Sequence, residues 1–361
     1  MDTTSPTIYD VAARANVSVA TVSRHINGSA RLTPSTKSRV EKAISDLGFV
    51  PNSTAQRLSS GKHMIIGAAF PKDFIVGETP GIERESMLYI DTLLRSIETE
   101  SSHRNYSVLL SFMPLEVNER AEALQRMAGS VDGIIALERV ITPEILEAVD
   151  FRMPLVVLAA EADSTKYDSV ATANAHAMAS IARHMIEGHG IKTAGFINGR
   201  LRSPDGYERR DSFLDTFRSL GGKVKAVDIL DGDWSVDSGY DVMMKRLRLK
   251  SALPECFVAA NDQMALGVQN ALEEKGYSVP KDVFLTGFDD TPMSLFMNPP
   301  LTTVRQDTYG MGQEAVRLLV DAIANPGRPK QCVTLATELV VRNSCGCQSK
   351  EGLKLMRELA S

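Results

Sequence analysis

The chain has 361 residues, of which 43% are hydrophobic and 24% are charged, and its formal net charge is −5. These are ordinary values for a globular protein, and the length exceeds what one hydrophobic core usually fills, so we expect two or three domains. The sequence contains no run of 18 apolar residues, which excludes a membrane-spanning helix. Residues 1–7 lack the pattern of a secretory signal, so we expect a cytoplasmic protein.

The charge is distributed unevenly along the chain. Residues 1–62 carry eight basic and four acidic side chains, a net charge of +4, so the total of −5 leaves −9 for the remainder. A basic segment joined to an acidic body is typical of a chain that meets phosphate groups at one end only. We therefore expect the amino-terminal end to be the part that meets phosphate groups, such as those of double-stranded DNA.

The four cysteines are Cys256, Cys332, Cys345 and Cys347. They are too few and too unevenly spaced for a disulfide framework, which is typical of a reducing compartment. The Cys345-Gly-Cys347 pair is compatible with metal binding or redox chemistry, but no histidine is near it in the sequence. We interpret the pair as plain thiols and expect neither a metal nor a cofactor.

Three short helices are predicted before residue 50. Thr7 and Asp10 form a capping box at the start of the first helix, and Asn16 is a residue type that tolerates the left-handed turn after it. Ser18 caps a second helix, and a Thr-Pro pair at residues 33–34 opens the third. Two short helices separated by a tight turn predict a helix-turn-helix.

The start of the second helix of a helix-turn-helix enters the major groove of DNA. There Val19 and Ala20 suit contacts with thymine methyl groups, and Arg24 suits a bidentate contact with guanine. Thr21 and Ser23 suit contacts with phosphates. The alternative is a small helical bundle with no DNA role, which would not explain short polar residues and an arginine on this exposed face.

Residues 51–62 predict a hinge. Pro51 offers a helix start and Gly61 a helix stop, about two turns apart. A helix below ~12 residues is marginal in water without partners. We expect this segment to be helical only when something packs on it.

Four motifs in the first 60 residues resemble the LacI/GalR family of bacterial transcription regulators: Ile-Tyr-Asp-Val-Ala at 8–12, residues 17–24, Phe-Val-Pro-Asn at 49–52 and Ala-Gln-Arg-Leu at 55–58. The resemblance extends along the whole chain. It implies a homodimeric repressor that binds a pseudo-palindromic operator and responds to a small sugar or sugar derivative.

The resemblance also implies that Leu58 is a wedge in the minor groove at the centre of the operator. Ala55 and Leu58 share one helix face, where residue 55 is small enough for close helix approach and residue 58 apolar enough to intercalate. The alternative is that Leu58 packs on the body. The predicted DNA-contacting residues are Thr7, Ser18, Val19, Ala20, Thr21, Ser23, Arg24, Asn27, Asn52, Ala55 and Leu58.

From residue 64 the pattern changes to short apolar runs separated by helical stretches, which predicts parallel strands in two βαβ series. The runs are 64–70, 107–112, 131–137 and 155–159, then 193–197, 224–228, 256–260 and 283–288. The chain returns through 300–306 to a helix near 308–324. The predicted fold is an N-terminal all-α helix-turn-helix headpiece followed by an α/β core of two doubly wound parallel-sheet lobes, which by the resemblance is like periplasmic binding proteins.

These patterns predict four segments. They are a DNA-binding domain (1–50), a hinge (51–62), a core (63–348) and a tail (349–361). The resemblance implies that the chain crosses back to the first lobe, so within the core we expect an N-lobe of about 63–170 plus 303–335 and a C-lobe of about 171–300 plus 336–348. The tail is too short to predict a coiled coil, so we do not predict a tetramer.

Doubly wound sheets bind ligands at the carboxyl ends of their strands. Asn261 and Asp262 follow one apolar run, Asp289 follows the next, and Trp234 is the only tryptophan. Carboxylate and amide groups bind vicinal hydroxyls, and an aromatic face stacks on a sugar ring. Each of these residues has a plain alternative as a helix cap or core residue, but together they match the effector positions of the resembled family.

The resemblance adds Arg209 to the effector site, with the neighbouring Arg210 as the alternative. Ala159 stands where many sugar-responsive members have Asp, so one hydroxyl-binding carboxylate is missing unless Glu138 or Glu161 takes its place. We therefore expect a sugar with a different hydroxyl pattern or an added group.

Two other classes of protein share an α/β scaffold of this kind. A sugar-binding transport protein would need export and would have no use for residues 1–62. An enzyme would use Asp289 and Asp290 as an acid pair, but the sequence has no Gly-rich phosphate loop, no Ser elbow and no metal-spaced His cluster. We expect the protein not to be an enzyme.

Overall fold

The computed structural model describes residues 6–26, 32–49, 63–72, 87–159, 165–200, 203–249 and 251–347. The chain divides into two compact units, Met1–Met64 and Ile65–Ser361, which we call the head and the core. The predicted hinge and tail lie outside the described residues. So do several residues named above, which are Asn27, Asn52, Ala55, Leu58 and Glu161.

The described residues of the head form three helices, α1 (Ile8–Ala15), α2 (Val19–Ile26) and α3 (Pro34–Leu47). The predicted capping box at the start of α1 is present, since the Asp10 carboxylate accepts from the Thr7 amide at 2.8 Å and the Asp10 amide donates to Thr7 Oγ1 at 3.4 Å. Asn16 ends α1 with a left-handed φ of 51°. Ser18 Oγ accepts from the Thr21 amide at 3.1 Å and begins α2. These local contacts produce the predicted helix-turn-helix.

One small hydrophobic cluster holds the three head helices together. Its buried members are Val11, Ala12, Ala15, Val22, Val40, Ala43 and Phe49. In α1 and α3 these residues recur at helical spacing on one face, and Val22 is the buried residue of α2, so the opposite faces are left to solvent.

The core is built from β-strands and helices in alternation. The strands are β1 (Ile65–Pro71), β2 (Ser107–Met113), β3 (Gly133–Leu137), β4 (Leu155–Leu158), β5 (Asp168–Thr172), β6 (Thr193–Asn198), β7 (Lys223–Asp231), β8 (Cys256–Ala259), β9 (Phe284–Thr286), β10 (Thr303–Gln306), β11 (Cys332–Leu335) and β12 (Thr337–Val340). The helices are α4 (Met87–His103), α5 (Val117–Ala128), α6 (Pro143–Ala148), α7 (Asn174–Arg183), a π-helical turn (His184–Gly188), α8 (Pro204–Ser219), α9 (Val236–Arg248), α10 (Asp262–Glu274), α11 (Met293–Phe296) and α12 (Thr308–Ala324).

Two parallel sheets define the two lobes. The first has the strand order β11-β5-β4-β3-β1-β2 and the second the order β7-β6-β8-β9. Strands β10 and β12 form a separate antiparallel pair. Because each sheet grows outward in both directions from its first strands, the predicted doubly wound arrangement is confirmed.

Apolar residues cover both faces of the six-stranded sheet, with Ile66, Ile135 and Val156 on one side and Ile134 and Val157 on the other. The four-stranded sheet is likewise buried in one continuous cluster with its helices. Burial on both faces explains why these strands appear in the sequence as continuous apolar runs. No helix within the described ranges is long and apolar enough to cross a membrane.

Candidate functional site

The exposed face of α2 carries the side chains predicted to meet DNA. Ala20 and Arg24 are exposed, and Thr21 and Ser23 are half-buried. Val19 differs from the expectation, because its side chain is half-buried and packs against the head cluster. The free face of α2 is therefore narrower than the sequence pattern predicts and is centred on Ala20 and Arg24.

A cavity of about 90 Å³ lies in the core where the carboxyl ends of the two parallel sheets meet. By the same measure one water molecule needs roughly 10–15 Å³, so the cavity holds several. It is lined by Tyr89, Leu137, Glu138, Arg139, Ala159, Ser203, Asp205, Arg209, Trp234, Asn261, Asp289 and Gln306.

Arg209, on α8, is the buried cation at the centre of this cavity, with 4% of its surface exposed. Its Nε donates to Asn174 Oδ1 and its Nη1 donates to the Ala260 carbonyl, both at 2.8 Å. The guanidinium carbon lies 3.6 Å from the ring centre of Phe288. The alternative Arg210 instead pairs with Asp211 at 2.7 Å. Of the two arginines, Arg209 is the one that lines the cavity.

Two acidic side chains lie on either side of this guanidinium. Asp289 Oδ1 is 3.6 Å from Arg209 Nη1, and Asp205 Oδ2 is 3.8 Å from Arg209 Nη2. Burial raises the pKa of Asp289 to about 7; the Arg209 charge opposes the shift, and Asp205 adds to it. Burial also raises the pKa of Asp205, again opposed by Arg209. The protonation state of these two carboxyl groups therefore depends on the charged groups beside them.

A hydrogen-bonded relay connects the two lobes beside Asp289. The Gln306 side-chain amide donates to Asp289 Oδ1 at 2.6 Å, and the Thr172 hydroxyl donates to Gln306 Oε1 at 3.0 Å. Thr172 ends β5 of the six-stranded sheet, whereas Asp289 follows β9 of the four-stranded sheet. The orientation of the Asp289 carboxylate is thus tied to both lobes.

Trp234 supplies the aromatic wall of the cavity. Its backbone has a left-handed φ of 80°, and its carbonyl accepts from Asn261 Nδ2 at 2.9 Å. Asn261 Oδ1 also accepts from the Met264 amide at 2.9 Å, which caps α10. The indole lies directly on Gly199, where an added Cβ would come within 2.0 Å of a ring carbon. The residue at 199 must therefore be glycine for the ring to hold this position.

Asp262 is the one predicted effector residue in the core that does not line the cavity. It is fully buried, and its carboxylate accepts from the Thr291 amide at 2.8 Å, the Thr291 hydroxyl at 3.1 Å and the Thr303 hydroxyl at 2.5 Å. Burial raises the pKa of Asp262 well above its usual range, with the nearby Asp289 as the second cause. The expectation that Asp262 faces a ligand is corrected, because its acceptors are occupied by the protein itself.

Several residues that line the cavity are not among the predicted effector residues, or are named there only as alternatives. Glu138 does line the cavity, as one of the two proposed substitutes for the missing carboxylate at Ala159. Gln306 is the last residue of the return strand β10, and its place at a strand end could have identified it as a lining residue. Asp205 lies one turn before Arg209 on α8, a spacing that could have identified it. Tyr89 comes from α4, and no signal in the sequence points to it.

These observations define a class of protein: a helix-turn-helix head joined to a two-lobed α/β core, with a cavity between the lobes that several charged and amide side chains line. Residues 7–52 match the sequence profile of bacterial regulatory proteins of the lacI family, and residues 182–345 match that of periplasmic binding protein-like domains. Catabolite control protein A of Priestia megaterium is 33% identical over 315 residues, which cover 87% of this chain and 91% of that protein. The chain belongs to the LacI family of bacterial regulatory proteins and is a DNA-binding transcriptional repressor.

Other relatives agree with this assignment. The transcriptional repressor PurR of Pasteurella multocida (strain Pm70) is 29% identical over 341 residues, 94% of this chain and 98% of that protein. The structure of the lac repressor dimer bound to operator and the anti-inducer ONPF matches with a TM-score of 0.79, 26% identity and coverage of 95% and 99% of the two chains. A complex of the transcriptional regulator CelR with cellobiose matches with a TM-score of 0.68, 27% identity and coverage of 94% and 99%. These relatives are regulators and not enzymes.

We predict that Gly199→Ala displaces Trp234 from the cavity wall, because the new methyl group and the indole cannot occupy the same space. Overpacking of this kind costs roughly 1–3 kcal/mol. Since Trp234 is the only tryptophan, its fluorescence reports the change directly, and we expect a red-shifted emission and stronger quenching by acrylamide.

The matched control is Gly129→Ala. At Gly129 an added Cβ meets its nearest neighbour at an ordinary 3.6 Å and the backbone is right-handed helical. An emission spectrum of Gly199→Ala identical to that of the control would contradict the placement of the indole.

Proposed function

We propose that this protein is a homodimeric, cytoplasmic repressor of a carbohydrate-utilisation operon, and that a small sugar or sugar derivative in the core cavity controls its affinity for a pseudo-palindromic operator. The observation that carries the proposal is the arrangement of Arg209, Asp289 and Asn261 around the face of Trp234. Charged and amide groups that converge on one aromatic wall suit a ligand with many hydroxyls and an apolar ring face.

The position of the polar groups supports a sugar over an apolar effector. Asp289 keeps its second carboxylate oxygen for a ligand, since the hydrogen bond from Gln306 engages Oδ1. Asn261 has one amide hydrogen beyond the one that it donates to the Trp234 carbonyl. An apolar ligand would leave such groups buried without partners, at a cost of ~1–3 kcal/mol each.

The related structures support the same class of ligand. CelR is described in complex with the disaccharide cellobiose, and the lac repressor is described bound to ONPG in its repressed state. In this chain Ala159 lines the cavity in place of a carboxylate, while Glu138 is close by. We therefore propose that the hydroxyl pattern recognised here includes a contact with Glu138.

The DNA-binding part of the proposal rests on the head. We propose that Ala20 and Arg24 contact base edges in the major groove and that Thr21 and Ser23 contact phosphates, with Thr7 and Ser18 at the helix starts beside them. A single helix of this kind makes few base contacts, so two copies on half-sites about one helical turn apart are needed. We further propose that Asn27, Asn52, Ala55 and Leu58 complete the DNA contacts and that the hinge transmits the effector signal.

The first test is an operator titration. An operator is selected from random double-stranded DNA with the full-length protein, and its affinity is then measured by fluorescence anisotropy with a panel of neutral sugars, sugar phosphates and nucleobases. We expect one sugar or sugar phosphate to change operator affinity by about 5–150-fold, the usual size of coupling between two sites. An effect confined to nucleobases, or no selected operator at all, would refute the proposal.

The second test is the pH dependence of effector affinity. An ionised Asp289 accepts hydroxyl hydrogen bonds, whereas a protonated one loses an acceptor, and its pKa is about 7 in the presence of Arg209, Asp205 and Gln306. We expect calorimetric affinity to rise as the pH increases towards about 7 and to level off above it. Asp289→Asn should lower affinity by about 10- to 100-fold above that pH, since a hydrogen bond to a charged group contributes ~1.5–3 kcal/mol.

The control for this substitution is Asp237→Asn. Asp237 is exposed in the first turn of α9 and does not line the cavity. We expect it to keep both the affinity and the pH profile of the parent protein. If Asp289→Asn did the same, Asp289 would not contact the effector.

A further inference from the structure

Four side chains that have no part in the effector cavity converge at another place in the core. They are His184, His189, Cys345 and Cys347, and their ligand atoms all lie within 4.8 Å of one another. The two cysteines look like plain thiols in the sequence because no histidine is near them in the chain. That interpretation missed a long-range contact, since His184 and Cys345 are 161 residues apart in sequence but adjacent in space.

The two histidines are brought together by an unusual turn of helix. Helix α7 ends at Arg183, and a π-helical turn from His184 to Gly188 follows. Residues five apart point about 140° away from each other on an α-helix, but an i→i+5 turn places them side by side. His184 and His189 have this spacing, and their Nε2 atoms are 3.3 Å apart. Turns of this kind are rare and are frequent at functional sites.

The two cysteines are brought together by a tight turn. Gly346 between them has a φ of 84°, which a residue with a side chain rarely adopts, and its amide donates to the Asn343 carbonyl at 2.9 Å. Both sulfurs thereby face the histidines. Cys345 Sγ is 3.4 Å from His184 Nε2, and Cys347 Sγ is 3.3 Å from His189 Nε2 and 3.9 Å from His184 Nε2.

These separations match the edges of a tetrahedral metal site. With Zn–S bonds of ~2.3 Å and Zn–N bonds of ~2.0–2.1 Å, a tetrahedron places its ligand atoms about 3.3–3.8 Å apart. Four of the six distances between the ligand atoms run from 3.3 to 3.9 Å, and all six are within 4.8 Å. Two thiolates and two imidazoles in tetrahedral geometry are the ligand set typical of a structural zinc ion.

A hydrogen bond from outside the cluster also orients Cys345. The Thr302 hydroxyl donates to Cys345 Sγ at 3.0 Å, and the same hydroxyl accepts from the Arg342 amide at 2.8 Å, so its only proton is directed at the sulfur. Hydrogen bonds of this kind orient metal ligands from outside the coordination shell. The Phe284 ring packs against His189 with ring centres 5.4 Å apart. Cys345 is buried, whereas the other three residues are half-buried and leave a path for an ion.

We propose that His184, His189, Cys345 and Cys347 bind one Zn²⁺ ion per chain. The ion would join the helical turn that precedes β6 to residues 345–347, which follow β12. The site lies at the amino-terminal side of the four-stranded sheet. The effector cavity lies at the carboxyl ends of the strands, so the two sites are separate. Binding releases the two thiol protons to solvent and stabilises the C-lobe by tying two distant segments together.

The test uses the full-length protein, reduced and treated with a chelator, and then titrated with Co²⁺ and with Zn²⁺. We expect a Co²⁺ complex with the visible absorption of a tetrahedral site and a sulfur-to-metal charge-transfer band. Zn²⁺ should displace Co²⁺ at one equivalent per chain and raise Tm. Cys347→Ser and His189→Asn should weaken Zn²⁺ binding at least 10-fold and alter the visible spectrum of bound Co²⁺, while retaining the fluorescence of Trp234 as a check of folding.

Cys332→Ser is the matched control, because Cys332 is an exposed thiol in β11 outside the cluster. It should keep the stoichiometry, the spectrum and the rise in Tm. Unaltered metal binding by Cys347→Ser and His189→Asn would overturn the proposal. So would a reduced parent protein that binds no Co²⁺ or Zn²⁺, since the four groups would then form only a hydrogen-bonded cluster.

Discussion

The buried charge of Arg209 is the constraint on which the rest of the cavity depends. A guanidinium removed from water is costly unless its donors are engaged and an opposite charge is near. In this core it donates to a side-chain amide and a backbone carbonyl, its face rests on Phe288, and two carboxyl groups lie within 4 Å. In return, Arg209 opposes the rise in pKa that burial causes at both Asp205 and Asp289.

Asp289, one of the two carboxyl partners of Arg209, connects the cavity to both lobes. Asp289 follows a strand of one sheet, and through Gln306 it reaches Thr172 at the end of a strand of the other. The buried Asp262 carboxylate accepts hydrogen bonds from Thr291 and Thr303 and so fixes the two segments that contain these threonines. A ligand that bonds to Asp289 therefore acts on a network that spans both lobes, which is the physical basis for coupling between ligand binding and a change elsewhere in the chain.

Much of the fold could be predicted from the sequence, because its signals are local. Thr7 and Asp10 form a capping box from positions three residues apart, Asn16 takes the left-handed turn, and continuous apolar runs become buried parallel strands. Strand β5 was missed because it opens with Asp168, whose buried carboxylate depends on partners distant in sequence, the Arg328 side chain and the Gln331 amide, each at 2.7 Å. Asn261, Asp289 and Trp234 line the cavity as expected, since positions after strands meet at one edge of a sheet, and Arg209 lines it as the family resemblance implies.

The residues that could not be predicted depend on contacts distant in sequence or on the direction of a side chain. Asp262 occupies a strand end, yet its carboxylate turns into the protein to meet Thr303, which is 41 residues away. The cluster of His184, His189, Cys345 and Cys347 needs both a π-helical turn and the return of the chain end to α7. Neither feature has a pattern in one sequence, because α- and π-helical turns share the same residue preferences over so short a segment.

The most direct measurement of the central claim is the pKa of Asp289 with and without Arg209. Protein labelled with ¹³C at the aspartate carboxyl groups can be titrated by NMR, with Asp289→Asn to assign the signal and the exposed Asp237 as an internal reference. The parent protein should titrate at Asp289 near pH 7, and folded Arg209→Met should titrate at a higher pH because the charge that opposes the rise in pKa is gone. An Asp289 pKa that is unchanged or lower in Arg209→Met would contradict the central role of this guanidinium.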